Sequence, residues 1–464
     1  MSQEGQLAKN TIIYAIGNFG SKILGYIMVL VYSYYLHSDE LGYYDLILTT
    51  ISMIQPIVLL QINDSIYRFM IDISESSKKT VATAFRFVIS IVILSLIIFI
   101  PIALLSKIRY TLYIIIYYVS LMIFTCIQEA VRGYSRIKLY ASFGIINSGI
   151  TLVFEFIGLI VLHQGVETLL ISKSIANIVC ICIAIINTPI ISDFFSSKFD
   201  LRLFKKILLY SMPLVPNVVC WWIMNSSDRY IIRYFIGTSA NGIYAISNKF
   251  PTILTAITSV FYLAWQESAI KEYTSHNRDQ FFSKIFNQYF RILFTLCAVL
   301  IPITRIIVEL LVAVEYKTSW YYTSPLYIAV AFSALCSYLG IGYQISKETI
   351  KSFYTTVISA TINIVTNLSL VHTIGLHAAS ISTLIAYFAL FILRIFHSKC
   401  YYNITYNVKE EVALIFLCFV SCFFTFIFNN MLILTIISMF MLLTAIYVNR
   451  KLINPLIRKI IRNG

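Results

Sequence analysis

The sequence predicts an all-α integral membrane protein with about 14 transmembrane helices, arranged as two six-helix lobes and two C-terminal helices. Three observations predict this class: the composition, the spacing of the apolar windows and an internal repeat. Of the 464 residues, 59% are hydrophobic and 12% are charged, and the mean hydropathy is +0.82. Soluble domains carry about 25% charged residues. The composition therefore excludes an ordinary soluble protein.

The apolar windows define the predicted spans, because each is near the ~20 residues that a bilayer requires. The first window is too long for a signal-peptide core and no small-residue cleavage site follows it, so we expect a retained span. The windows lie at residues 10–36, 41–64, 82–105, 111–131, 141–162, 166–188, 208–236, 241–268, 285–314, 322–343, 353–372, 375–396, 411–428 and 431–448.

The positive charges predict the orientation. Of the 35 Lys and Arg residues, 26 lie near the termini or in links that follow even-numbered spans, whereas the opposite links hold only Lys107, Arg109 and Lys317. Cytoplasmic links carry the excess of Lys and Arg in membrane proteins. Both termini and the even links are therefore predicted to be cytoplasmic. The net charge of +14 fits this role, and we expect no nucleic-acid partner.

An internal repeat predicts the lobes. The segment "YYLHSDELGYYDL" at 34–46 aligns, at an offset of 200 residues, with "YFIGTSANGIYAI" at 234–246. Each segment joins an outgoing span to a returning one at the start of a six-span block. Parallel repeats of this kind are related by an axis along the membrane normal, which predicts a pseudo-two-fold relation. The predicted lobes are residues 1–200 and 201–400, with helices 13 and 14 and a basic tail in 401–464.

The six Lys and Arg residues outside these two groups lie inside predicted spans, where a charge costs about 2.5–3.5 kcal/mol and usually faces the helix bundle or a water-filled cavity. Five of them are candidate anion-binding groups. These five are Arg229, Lys249, Lys22, Arg233 and Lys173. For the sixth, Arg305, an ion pair with Glu309 four residues later on the same helix is the simpler expectation.

The buried carboxylates leave alternatives open. Glu155 and Lys173 are placed symmetrically about the turn that connects spans 5 and 6, which favours a structural ion pair across this helical hairpin. In the second lobe, Asp228 is the only acidic group near Arg229, Arg233 and Lys249, which leaves positive charge unmatched. Alternatively, Arg233 extends to the outer interface and Asp228 neutralises Lys249. Asp228 and Glu155 are also candidate coupling carboxylates, because a desolvated carboxylate takes up a proton more readily.

Other motifs are few. The nine cysteines lack the paired spacing of a metal site, and no G-x-x-x-x-G-K phosphate loop occurs, so no cofactor and no direct ATP hydrolysis are expected. Span 7 begins with "SMPLVPN", whose prolines predict a joint near the cytoplasmic end of that helix.

The segment "WWIMNSSDRYIIRYFIGTSANGIYAISNKF" at 221–250 carries a family resemblance, together with "AWQES", "YSMPLVPN" and "LGYYDL". The chain resembles the oligosaccharide flippases of the polysaccharide transport family, within the multidrug/oligosaccharidyl-lipid/polysaccharide exporter superfamily. The resemblance implies transfer of undecaprenyl-pyrophosphate-linked repeat units from the inner to the outer leaflet of a bacterial cytoplasmic membrane, for O-antigen, capsule or a related glycan. It also implies alternating access through a cationic central cavity.

A pyrophosphate is the anion that Arg229, Lys249 and Lys22 would need. Without an ATP site, transport would be driven by an H⁺ or Na⁺ gradient or by consumption of the product. The expected protein partners are a polysaccharide polymerase and its chain-length machinery. Two alternatives remain: a multidrug-type cation exporter, which should prefer an acidic cavity, and a membrane-embedded glycan polymerase, which would need a large outer loop. The short outer links favour a non-enzyme.

The predicted orientation is testable by cysteine labelling in intact cells. In a background without the native cysteines, Ser239→Cys should react with a membrane-impermeant maleimide from outside. Ser275→Cys should react only after permeabilisation, because its link is predicted to be cytoplasmic. Labelling of both sites from outside would refute the topology.

Overall fold

The structure is a computed structural model that describes residue 20 and residues 24–71, 76–346 and 348–450. Every regular element in these residues is a helix. The chain forms two compact units, Met1–Arg229 and Tyr230–Gly464. The boundaries predicted for the two lobes and the C-terminal appendage stay a prediction.

The helices of the first unit follow the predicted windows closely. A shorter helix, α8, precedes the last span, and a π-helical turn at Ile157–Val161 extends α6. The helices are α1 Leu24–Tyr35, α2 Ser38–Val58, α3 Ile62–Ile71, α4 Ser77–Leu105, α5 Thr111–Gly133, α6 Ile137–Phe156, α7 Val166–Asn187, α8 Ile190–Ser196, α9 Leu201–Ser211 and α10 Leu214–Ser226.

The helix α11, Asp228–Phe235, begins in the first unit and continues into the second. The helices after it are α12 Thr238–Lys249, α13 Thr252–Glu272, α14 Arg278–Leu311, α15 Trp320–Leu339, α16 Ile341–Ile345, α17 Thr349–Ile374, α18 His377–Ser398, α19 Val408–Ile427 and α20 Met431–Val448. A 3₁₀ turn at Val314–Ser319 precedes α15.

The all-helical membrane class is confirmed. Among the described residues, 12 helices are long and apolar enough to cross a bilayer. The remaining two predicted spans also contain helices: 10–36 includes α1, and 241–268 includes α12 and α13. The second of these divides at Pro251, because proline lacks a backbone N–H and disfavours helical geometry in the residue before it.

The internal repeat reappears in the secondary structure. The helix α1 ends at Tyr35 and α2 begins at Ser38, whereas α11 ends at Phe235 and α12 begins at Thr238, which reproduces the offset of 200 residues. The same packing also occurs within each unit. In the first, α7 packs against α5 and α6; in the second, α18 packs against α15 and α17. Both α7 and α18 have 22 residues.

The seventh span is divided twice. The helix α9 ends at Ser211 and α10 begins after Pro213, so the joint predicted from the prolines is present. The second break, at Ser227, has no proline. There the Asp228 carboxylate accepts a hydrogen bond from the backbone N–H of Arg229 at 3.0 Å. Side-chain acceptors of this kind compete with helical backbone bonds, and they favour a new helix start.

A close helix crossing depends on Gly158 in the π-helical turn. A Cβ atom at this position would lie 2.1 Å from Cγ2 of Thr168 on α7. Gly149, on the same continuous helix, would place a Cβ with no atom within 4 Å. The first glycine is therefore required for contact between α6 and α7, and the second is not.

The Gly158→Ala variant should lower the free energy of unfolding in detergent by about 1–3 kcal/mol, the usual cost of overpacking a buried contact. Gly149→Ala is the matched control and should be neutral or stabilising by up to about 1 kcal/mol, because alanine favours helix over glycine. Adding Thr168→Ser, which removes Cγ2, should partly restore the first variant. Equal stability of the two alanine variants would contradict this account.

Candidate functional site

The candidate site in the first unit is an arginine held by two carboxylates. Arg229 Nε donates to Asp45 Oδ2 at 2.7 Å, and Arg229 Nη1 donates to Asp228 Oδ1 at 3.1 Å and to the Asn225 carbonyl at 2.8 Å. The Arg229 and Asp45 side chains are only 11% and 15% exposed. We call Asp45, Arg229 and Asp228 the charged triad.

Two helices position the triad. Asp45 lies on α2. Asp228 is the first residue of α11, where the helix dipole stabilises a negative charge. Trp222 on α10 fixes the spacing, because its Nε1 donates to the Thr49 carbonyl at 3.2 Å and to Ser52 Oγ at 3.0 Å, both on α2. The break at Ser227 then turns Arg229 towards Asp45.

The expectation that Arg229 is an unmatched positive charge is wrong. If both carboxylates are ionised, the charged triad sums to one negative charge. The sequence-based count of charges placed Arg229 in the second lobe, whereas the structure groups it with the first unit and pairs it with Asp45 on α2. Asp45 was missed for that reason. Its signal in the sequence is its place inside "LGYYDL", one of the segments that carry the family resemblance.

The second buried carboxylate, Glu155, is paired differently from the expectation. It is fully buried on α6, next to the π-helical turn, and its Oε2 accepts a hydrogen bond from the Tyr32 hydroxyl at 2.7 Å. Lys173 on α7 is half-buried. Among the described residues, the salt bridges do not include the expected pair of Glu155 with Lys173.

A chain of polar side chains joins α5, α6 and α7. Asn147 donates to Asn177 Oδ1 at 2.9 Å, and Asn177 donates to Ser120 Oγ at 3.2 Å. Buried amides need such partners in an apolar surrounding. The bundle of the first unit therefore contains a connected polar interior.

The predicted cations of the second unit lie at helix ends. Arg233 and Lys249 are exposed side chains in the last turns of α11 and α12. A cation there interacts favourably with the C-terminal end of the helix dipole. The structure does not test their proposed role. Lys22 lies outside the described residues.

The expected pair of Arg305 with Glu309 is also wrong. Arg305 donates to the backbone carbonyls of Thr425 and Phe428, the latter at 2.9 Å, and to Asn429 Oδ1 at 2.7 Å. Its guanidinium also lies 4.0 Å from the centre of the Trp320 ring. Glu309 instead pairs with Lys317 at 3.7 Å. Arg305 thus satisfies the C-terminal end of α19.

Comparisons with known proteins agree with the sequence resemblance. A family described as "Polysaccharide biosynthesis protein" matches residues 7–270, which is more than half of the chain. A search of curated proteins found no match.

Among solved structures, one titled "Lipid II flippase MurJ, inward closed conformation" is 17% identical, with a TM-score of 0.71, and the alignment covers 95% of this chain and 100% of that one. An inward-facing multidrug resistance MATE family transporter of the MOP superfamily is 13% identical, with a TM-score of 0.65 and coverages of 87% and 95%. A MOP superfamily transporter from Pyrococcus furiosus is 12% identical, with a TM-score of 0.60 and coverages of 88% and 96%. The TM-scores and coverages establish a shared fold.

The strength of the charged triad can be measured with a double-mutant cycle on Asp45→Asn and Arg229→Gln. Because both side chains are mostly buried, we expect a coupling of roughly 1–3 kcal/mol in the free energy of unfolding. The matched control is the Lys271–Glu267 pair, which has the same 2.7 Å separation but is 55% and 35% exposed. That coupling should stay below about 1 kcal/mol. Equal coupling energies for the two pairs would contradict the prediction that burial strengthens the Asp45–Arg229 pair.

Proposed function

Because the chain belongs to the polysaccharide biosynthesis protein family, we propose that it is a flippase that moves undecaprenyl-pyrophosphate-linked oligosaccharide repeat units from the inner to the outer leaflet of a bacterial cytoplasmic membrane. The product would serve the synthesis of O-antigen, capsule or a related polysaccharide. The observation that carries the proposal is the charged triad, a mostly buried guanidinium held by two carboxylates.

The chemistry of the triad suits a diphosphate. A guanidinium binds phosphate oxygens with the same paired N–H groups that it offers to carboxylates. A diphosphate could therefore displace Asp45 and Asp228 from Arg229 without leaving the cation unpaired. Pairing in the absence of substrate lowers the cost of keeping Arg229 in an apolar surrounding.

Displacement would also free a carboxylate. A carboxylate that has lost its cation can take up a proton or Na⁺, which supplies a route to ion coupling through Asp228 or Asp45. Glu155 is a second candidate, since it is fully buried and held by the Tyr32 hydroxyl.

Lys249, Arg233, Lys173 and Lys22 remain proposed phosphate contacts, as the sequence suggested. Their support is the rarity of cations in apolar spans. A polysaccharide polymerase and its chain-length machinery are the proposed partners, since they would consume the product.

A second candidate function is export of organic cations, as in the multidrug branch of the superfamily. One observation favours it: the charged triad carries two carboxylates for one guanidinium. A cation that displaced Arg229 would meet two negative charges.

The flippase proposal is tested by Arg229→Gln in cells that lack the native protein. At normal expression, surface glycan should fall by roughly tenfold or more and lipid-linked repeat units should accumulate, because the neutral amide cannot hold the diphosphate. Arg229→Lys should give an intermediate loss, since lysine is a point charge without the planar fork. Lys284→Gln, which removes an exposed cation of α14, is the control and should leave glycan unchanged.

Normal glycan in the Arg229→Gln cells would overturn the phosphate role. If the same cells keep their glycan but lose resistance to organic cations, the exporter function is favoured instead.

A further inference from the structure

The segment between α7 and α9 borders a cavity that the proposed transport does not use. The cavity has a volume of about 600 Å³ and is lined by three cations, Lys79, Lys198 and Arg202, with Ser196, Ser197 and Asp200. Lys79 lies at the start of α4, and the other five residues lie between the end of α8 and the start of α9. Two links that are distant in sequence therefore meet at one place on the first unit.

The walls of this cavity are anchored to the helix bundle. The Asp200 backbone N–H donates to Thr83 Oγ1 at 3.2 Å, and Arg86 donates to the Phe194 carbonyl at 3.1 Å. The Tyr134 hydroxyl donates to the buried Asp193 carboxylate at 2.6 Å. These contacts fix the link on both sides of the cavity.

The electrostatics favour an anion. Three cations face one carboxylate, and Asp200 is already engaged, because it accepts hydrogen bonds from the backbone N–H groups of Arg202 at 2.9 Å and Leu203 at 3.1 Å. The hydrogen bond from Leu203 holds the pKa of Asp200 below its usual value. In the part of the chain that the structure describes, Lys79, Lys198 and Arg202 form no salt bridge.

Exposed apolar side chains lie beside these cations. Phe199 and Leu201 line it and are exposed, and the side chain of Phe195 next to it is 76% exposed. Aromatic and aliphatic side chains beside clustered Lys and Arg are typical of segments that lie in the membrane interface. A soluble anion would gain nothing from these side chains, whereas an acyl chain would cover them.

We propose that this cavity binds the phosphodiester headgroup of an anionic membrane lipid, with the lipid chains against Phe195, Phe199 and Leu201. Basic pockets at membrane surfaces recognise such headgroups. Both links that form the cavity are predicted to be cytoplasmic from the distribution of positive charge, which places the lipid in the inner leaflet. The site is independent of the charged triad and of the transported substrate.

The test is native mass spectrometry of the purified full chain with added phosphatidylglycerol, and with phosphatidylcholine as the zwitterionic reference. The site variant is Lys79→Gln/Lys198→Gln/Arg202→Gln; all three side chains are exposed, so folding should be kept. The matched control is Lys78→Gln/Arg136→Gln/Lys138→Gln, which removes three exposed cations from predicted cytoplasmic links and leaves the cavity intact.

The wild type and the control should retain one phosphatidylglycerol, and the site variant should bind it about 100-fold more weakly, at about fivefold per cation. Asp200→Asn should bind more tightly, because asparagine still caps α9 while one negative charge is lost. Equal retention by the site variant and the wild type, or equal loss in the control, would overturn the proposal. Displacement of the lipid by millimolar inorganic phosphate would also overturn it, in favour of a free-phosphate site.

Discussion

A buried arginine in an apolar chain must find acceptors inside the protein, and this constraint organises the described structure. Hydrocarbon offers no water to a guanidinium, and it offers none to the last carbonyls of a helix. A buried guanidinium near the C-terminal end of a helix can donate to these carbonyls, which satisfies both groups. Arg305 binds carbonyls at the end of α19, and Arg394 donates to the Cys336 carbonyl near the end of α15 at 2.6 Å. Arg229 likewise donates to the Asn225 carbonyl in the last turn of α10.

Arg229 differs from the other two in what else it binds. Arg305 and Arg394 are 4% and 3% exposed, and the hydrogen bonds described for them go to neutral carbonyl, hydroxyl and amide oxygens. These described partners carry no charge that an arriving anion could replace. Arg229 is instead held by two carboxylates, and a phosphate anion offers a guanidinium the same kind of acceptor. The distinction separates arginines that maintain helix geometry from one that is suited to a ligand.

The sequence predicted the fold well and the site only in part. An apolar window in the sequence indicates a segment that lies in the bilayer, and each predicted span contains at least one helix. The joint at Pro213 was visible because proline acts on its own backbone. The break at Ser227 and the partner of Arg229 were not visible, because they depend on tertiary contacts. Asp45 lies 184 residues from Arg229, and neither spacing nor periodicity relates them.

The predicted ion pairs failed for a related reason. Glu309 is four residues from Arg305, and i,i+4 geometry favours a pair by only about 0.5 kcal/mol. The exposed carbonyls at the end of α19 offer Arg305 several hydrogen bonds at once, together with the Trp320 ring. At the end of α19, these tertiary hydrogen bonds therefore outweigh the ion pair that the local helix geometry would allow.

The sign of the charged triad bears on how transport could be driven. Under the proposed function, a diphosphate that arrives at two carboxylates and one guanidinium would compete with charges of its own sign, so its binding would be unfavourable unless a carboxylate moved away or were neutralised. Protonation of Asp45 or Asp228 removes that competition and releases the guanidinium at the same time. Under the proposed function, a proton and the lipid-linked anion would therefore bind with positive cooperativity, since each favours the same rearrangement of Arg229.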